Sequence, residues 1–199
     1  MAQKPNLVIF VRAPLLGRVK RRLALGIGAI AARRFYTDTT DLLLRRVGSD
    51  QRWRTWLAVT PDRFANKGRF WPGTVQRFGQ GDGDLGERMA SALDRFGHAP
   101  VVIVGSDIPD IDARHIDAAF RVLGAHDAVL GPAADGGYWL VGARDPLSLP
   151  DEFQGVRWSG PHALADTLDN LKGCRVALLE TLTDVDDADD LKQRSLAMT

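Results

Sequence analysis

One cysteine, Cys174, stands among 199 residues, which excludes an intramolecular disulfide and any cysteine-built zinc cluster. No apolar stretch approaches the roughly 18 residues of a membrane span, and the N-terminus lacks a cationic leader followed by a long apolar core and a cleavage site. The expectation is therefore a cytoplasmic protein without a membrane span. No Gly-Lys-Ser/Thr phosphate loop and no Gly-x-Ser-x-Gly elbow occurs, and His98, His115, His126 and His162 show no metal-ligand spacing. Covalent catalysis by a nucleophilic triad is disfavoured. With 26 Lys or Arg against 25 Asp or Glu the net charge is only +1, so a polybasic nucleic-acid binder is not expected either.

What is present is order in the charge. Residues 1–37 carry eight Lys or Arg and no acid, whereas residues 180–190 carry six acids and no base. Short Val- and Ile-rich runs alternate with longer amphipathic stretches, the pattern of a mainly parallel sheet flanked by helices. Strands are expected near residues 7–11, 56–60, 74–78, 101–105, 128–131, 138–141 and 175–179. Helices are expected from about residue 19 or 28 to 46, over 85–96, 113–123 and 161–171, and from 188 to the end. No repeat or linker-sized segment interrupts this, and the length suits one α/β domain over residues 1–199 with a three-layer sheet of about seven strands.

The basic loop Pro14-Leu15-Leu16-Gly17-Arg18-Val19-Lys20-Arg21-Arg22 follows the first expected strand. Cations at a helix start oppose the helix dipole unless an anion arrives, and a mixed Arg and Lys set suits a di- or triphosphate. Arg12 and Lys20 are the first choices. Gly26-Ile27-Gly28 mimics a dinucleotide fingerprint but follows no strand. Asp107, after the run Val101 to Gly105, lies where an open parallel sheet presents ligands, and a hard cation such as Mg²⁺ or Mn²⁺ fits it. Asp112 reads as a helix cap. Within Asp184-Val185-Asp186-Asp187 one carboxylate is expected to reach the same ion, with an N-cap as the competing role of Asp186 or Asp187. Asp84 and Glu87 have capping-box spacing, and Asp135-Gly136-Gly137-Tyr138-Trp139 reads equally as a tight turn or as backbone touching a planar or sugar-like ligand. The aromatic pair Phe70-Trp71 is open between a contact surface and buried packing.

In order, Pro14-x-x-Gly17-x-Val19-Lys20-x-Arg22-Leu23, Gly83-Asp84-Leu85-Gly86-Glu87-Arg88-Met89, Gly105-Ser106-Asp107-x-Pro109, Gly131-Pro132-Ala133-x-Asp135-Gly136-Gly137-Tyr138-Trp139, Trp158-Ser159 and Asp184-Val185-Asp186 resemble a bacterial family of GT-A-fold glycosyltransferase-like proteins, domain of unknown function 2064. Such proteins are similar to nucleotide-diphospho-sugar transferases and, more distantly, to guanylyltransferases. The resemblance implies a transferase of that fold. Its N-terminal loop holds nucleotide phosphates through Arg12, Pro14, Gly17, Arg18, Lys20 and Arg22, with Gly83, Asp84 and Arg88 on the same side. Asp107 and Asp186 hold the metal, Asp107 and Lys20 are catalytic, and Asp135, Gly136, Gly137, Tyr138 and Trp158 line the acceptor side. The family usually has Lys at the position of Arg12 and Thr at those of Arg21 and Gly160. Three readings follow: a glycosyl transferase using a nucleotide sugar and a small acceptor, a guanylyl- or cytidylyltransferase releasing pyrophosphate, and a nucleotide-binding regulatory protein without turnover.

Overall fold

The computed structural model describes residues 4–67 and 70–197. Seven strands form one sheet: β1 (Asn6–Arg12), β2 (Arg54–Thr60), β3 (Gln76–Gly79), β4 (Val101–Gly105), β5 (Ala128–Pro132), β6 (Tyr138–Ala143) and β7 (Val176–Leu178). Their spatial order is β3-β2-β1-β4-β6-β5-β7. Only β6 runs against the rest, pairing antiparallel with β4 and β5. Six helices cover the faces: α1 (Arg21–Ile27), α2 (Ala29–Val47), α3 (Leu85–Asp94), α4 (Ala113–Val122), α5 (Ala163–Asn170) and α6 (Ala188–Ala197). The expected mainly parallel, three-layer α/β fold is the one found.

Period-two alternation sorts β1 between two cores. Leu7, Ile9 and Val11 face a cluster with Leu43 and Val47 of α2 and Ile116 of α4, whereas Val8 faces Met89 and Leu93 of α3. Leu7, Ile9, Leu57 and Leu93 are at most 1% exposed, so each contributes about 1.5–3 kcal/mol by leaving water. Burial on both faces explains why these strands read as unbroken apolar runs in the sequence.

The boundaries differ from the sequence reading where turn chemistry intervenes. Of the two starts expected for the helix ending near residue 46, the one at residue 28 matches α2, and α1 precedes it as a separate helix, the break falling at Gly28, whose φ of 85° an L side chain rarely adopts. β3 begins at Gln76 rather than 74, because a turn closed by Val75 N–H to the Pro72 carbonyl uses that backbone first. Asp107 lies two residues beyond β4, not one. Trp71 is 6% exposed and packs in the core, so the buried reading of that pair holds for it. Of the last expected helix, residues 198 and 199 lie outside the described residues.

Between β6 and α5 the chain buries a carboxyl. Glu152 is 8% exposed, and burial first, then Asp94 and Asp151, push its pKa from an ordinary 4.5 to about 7. The folded state therefore holds a proton that the unfolded chain gives up earlier, so stability falls as pH rises from about 4.5 to about 7. Glu152→Gln is expected to flatten this slope: urea unfolding should show the variant more stable than wild type by on the order of 1–3 kcal/mol at pH 8 and equal to it at pH 4. Parallel pH profiles for the two proteins would contradict the assignment.

Candidate active site

The parallel register brings the C-terminal ends of β1, β2 and β4 together, with Arg12 opposite Thr60 and Phe10 opposite Gly105. The loops that leave these ends build the site, as expected for an open α/β sheet. Loop 13–20 starts with Ala13 N–H bonded to the Thr60 carbonyl and closes with Arg18 N–H on the Leu15 carbonyl. Val19, 4% exposed, anchors it in the core, and Lys20 then caps α1 with left-handed backbone, φ 46°. The Lys20 side chain is 4% exposed, and its Nζ lies 3.3 Å from Asp107 Oδ1 and 3.3 Å from Asp186 Oδ1. Arg22 adds a second contact to Asp186, 3.2 Å to Oδ2. Cations from the start of the chain and acids from its middle and end thus meet at one point.

Tyr36 of α2 braces that point from below. Its hydroxyl accepts the Arg12 N–H at 2.8 Å, lies 3.0 Å from the Arg12 carbonyl as donor, and stands 3.3 Å from Ser106 Oγ. Burial, then the nearby Asp107 charge, raises its pKa. The loop carrying Asp107 is held on its far side by Arg46, which donates to the Pro109 carbonyl at 2.7 Å, and by Arg194 of α6, paired with Asp110. Such supports fix a ligand-binding carboxylate within a small volume.

Two adjoining cavities share Phe10, Leu85, Gly105 and Asp107. The first, about 500 Å³, is lined by Arg12, Arg18, Lys20, Arg21 and Arg22 together with Asp107 and Asp186. Gln80 forms part of its wall, its Nε2 donating to the Val11 and Ala58 carbonyls at 3.2 and 2.9 Å. The second cavity, about 410 Å³, is lined by Asp107, Asp135 and Asp184 and by Tyr138, Trp139 and Trp158. Burial, then Asp186 and Asp135, raises the Asp184 pKa, while Lys20 opposes the rise. Lys20 and Ser159 are the only non-glycine residues with positive φ among the described residues, and each lines one of the cavities. Strain of this kind, which costs on the order of 1–3 kcal/mol per residue, gathers where the surrounding structure fixes a site.

Among residues singled out in the sequence, Arg12, Arg18, Lys20 and Arg22 lie on the first cavity, Asp107 on both, and Asp135, Gly137, Tyr138 and Trp158 on the second. Arg21 and Gly160, where the family usually has threonine, line the first and second respectively. Pro14, Gly17, Gly83, Asp84, Gly136 and Arg88 are on neither wall. Asp84 caps α3 reciprocally with Glu87, at 2.9 and 2.7 Å, and its block reaches the cavities through Leu85 and Met89 instead. Gly136 serves packing: a Cβ there would come within 2.6 Å of Pro161 backbone. The Asp-Gly turn does join antiparallel β5 and β6, and Asp135, Gly137, Tyr138 and Trp139 line the second cavity. Asp187 accepts the N–H groups of Asp189 and Asp190 at 2.8 and 3.0 Å and is the cap of α6, leaving Asp186 free to face Lys20. Asp112 caps α4 through Arg114 N–H. The sequence reading gave no role to Tyr36, Gln80 or Ser106: the first two stand in ordinary helix and loop contexts, and Ser106 lies in the Gly105-Ser106-Asp107 block without being singled out as a site residue.

Among the described residues no group of three or more His, Cys, Asp or Glu is placed to hold a metal ion. The donor set at the junction is two hard carboxylates, Asp107 and Asp186, both in contact with the same ammonium. That set fits Mg²⁺ or Mn²⁺, which take one or two carboxylates and complete their shell with phosphate oxygens and water, and it does not fit a closed zinc site. No helix among the described residues is long and apolar enough to cross a membrane.

Several solved structures are similar to this one. A candidate nucleotide-diphospho-sugar transferase of Desulfovibrio desulfuricans G20 is 28% identical with a TM-score of 0.86, over 96% of this chain and 85% of that one. The molybdopterin-guanine dinucleotide biosynthesis protein A of Archaeoglobus fulgidus is 15% identical, TM-score 0.60, over 98% of this chain and all of that one. Rv0371c of Mycobacterium tuberculosis H37Rv, in complex with manganese, is 17% identical, TM-score 0.55, over 97% and 98%. The last two likenesses are of fold alone. No curated protein matches. The family described as "Uncharacterized protein conserved in bacteria" (DUF2064) matches residues 43–160, a span that holds Asp107, Asp135 and Trp158 and ends before Asp186. With more than half of its length matched, the chain belongs to the DUF2064 family.

Proposed function

We propose that this protein is a metal-dependent transferase using a nucleotide-activated donor, a nucleotide-diphospho-sugar, and a small-molecule acceptor. The observation that carries the reading is the meeting of a cationic cavity and an acidic, aromatic cavity at Asp107. Likeness to a candidate nucleotide-diphospho-sugar transferase at 28% identity supports it. Lys20, Arg18, Arg22 and Arg12 receive the donor diphosphate, Arg through forked donors and Lys as a point charge. Asp107 and Asp186 would hold Mg²⁺ or Mn²⁺, which when bound neutralises charge on the diphosphate. The donor sugar then projects past Asp107 into the second cavity. There an acceptor hydroxyl oxygen bonds to the anomeric carbon, the bond from that carbon to the β-phosphate oxygen breaks, and the diphosphate leaves with the electron pair. The hydroxyl proton passes to Asp135 or Asp184. Both carboxylates line that cavity.

Nucleotidyl transfer is the second reading, favoured by likeness of fold to the molybdopterin-guanine dinucleotide protein. It uses the same cations, with a substrate phosphate attacking the α-phosphorus and pyrophosphate departing. Thermal-shift screening of nucleotides and nucleotide sugars with Mn²⁺, followed by a pyrophosphate-release assay with each triphosphate, separates the two. Stabilisation by sugar nucleotides with no pyrophosphate release is the expected result, and release coupled to an acceptor would reassign the reaction.

Lys20→Met is expected to weaken binding of the stabilising nucleoside diphosphate by about 10- to 100-fold in calorimetry, since a hydrogen bond to a charged group is worth about 1.5–3 kcal/mol. Asp107→Asn should leave a residual metal-free affinity but remove the gain that Mg²⁺ or Mn²⁺ gives the wild type. Nucleotide binding indifferent to both substitutions and to metal would move the protein to the non-catalytic regulatory reading.

A further inference from the structure

Charge divides across Asp107 more sharply than phosphate binding requires. Five cationic side chains line the nucleotide-side cavity. Among the described residues the second cavity is lined by three carboxylates and by no Lys, Arg or His. Asp107 is engaged by Lys20, but Asp135 and Asp184 have no cationic partner within ion-pair distance among the described residues. Asp135 Oδ1 accepts only the Gly137 N–H at 2.9 Å, and Asp184 lies close enough to Asp135 and Asp186 to feel both charges. Apart from the Ser159 hydroxyl, the rest of this wall is aromatic, apolar or glycine. Tyr138 and Trp158 stand edge to face at 6.3 Å, and Trp139 and Met89 lie alongside. A phosphate or carboxylate entering here would meet like charge with no donor fork to offset it, whereas hydroxyl groups have carboxylate acceptors and the C–H face of a ring has aromatic surface.

We infer that the acceptor is a non-anionic, hydroxyl-bearing ring compound, neutral or carrying an amine, and that phosphorylated acceptors are excluded by Asp135 and Asp184. The inference rests on the two-cavity transferase reading above and sharpens it. An acceptor without phosphate offers a hydroxyl oxygen as nucleophile, as the glycosyl-transfer reading above requires. Exclusion by like charge is also how a site discriminates between substrates that share a ring.

The test uses three probes that share one ring: glucose, glucosamine and glucose 6-phosphate. With Mg²⁺ and inorganic pyrophosphate filling the cationic cavity of the full chain, saturation-transfer NMR titrations read the affinity of each. Glucose and glucosamine should bind saturably and glucose 6-phosphate at least about tenfold more weakly. In Asp135→Asn/Asp184→Asn that gap should close to within about threefold; if the double variant does not fold, each single substitution should narrow it. Glucose 6-phosphate binding as tightly as glucose, no saturable binding by any probe, or a gap unchanged in the folded variants each overturns the inference. Calorimetry of pyrophosphate alone, in wild type and Lys20→Met, reports the nucleotide side separately. Pyrophosphate failing to bind would sink the nucleotide reading while the probe comparison still judged the acceptor.

Discussion

An ammonium withdrawn from water and held between two carboxylates organises this molecule's site. The Lys20 side chain is 4% exposed, and removing such a charge from solvent costs several kcal/mol unless opposite charges offset it. Asp107 and Asp186, each 3.3 Å away, do so. Asp186 lies 166 residues from Lys20 in the chain, so the contact exists only when the sheet is complete and α6 has docked. The arrangement also carries tension. Lys20 holds left-handed backbone, and the two acids of like charge each lie 3.3 Å from its ammonium. On the proposed reading, a phosphate entering among Arg12, Arg18 and Arg22 would compete for the same ammonium, and a divalent cation would compete for the same acids. Both ligands would then act on one ion triplet.

The fold supplies the precision through ordinary parts. Parallel β1, β2 and β4 end level with one another, so three loops leave from one edge. Tyr36 ties the end of β1 to Ser106 beside Asp107, and Arg46 and Arg194 clamp the other side of that loop. The one antiparallel strand, β6, lets the Asp135 to Gly137 turn and Trp139 face the same edge from the opposite direction. A cationic and an acidic wall, placed side by side in this way, would on the proposed reading orient a donor with an anionic leaving group and an acceptor without one.

Fold class and strand count were legible because the central strands are buried on both faces and leave uninterrupted apolar runs between turn residues. Lys20, Asp107 and Asp186 were legible because charge of one sign is concentrated where an apolar run ends. The residues given no role, Tyr36, Gln80 and Ser106, carry one hydroxyl or amide each. Their importance comes from what they touch 70 or so positions away in the chain, as with Tyr36 and Ser106. The glycines divide in the same manner. Gly28 marks one of the two helix starts legible in the sequence, and Gly136 is required by Pro161, a neighbour that no local pattern announces.

The sequence by itself determined which segments become strands, which carry cation and acid, and to which family they belong, because these follow from local periodicity, turn chemistry and residue type. Only the tertiary structure decided which of the clustered acids meets Lys20 and which caps a helix, that Asp107 sits on the boundary of two cavities, and that the five cations lining those cavities fall on one side of it. Those facts depend on distances between residues remote in the chain, which sheet order and helix docking set and which no window of neighbouring residues encodes.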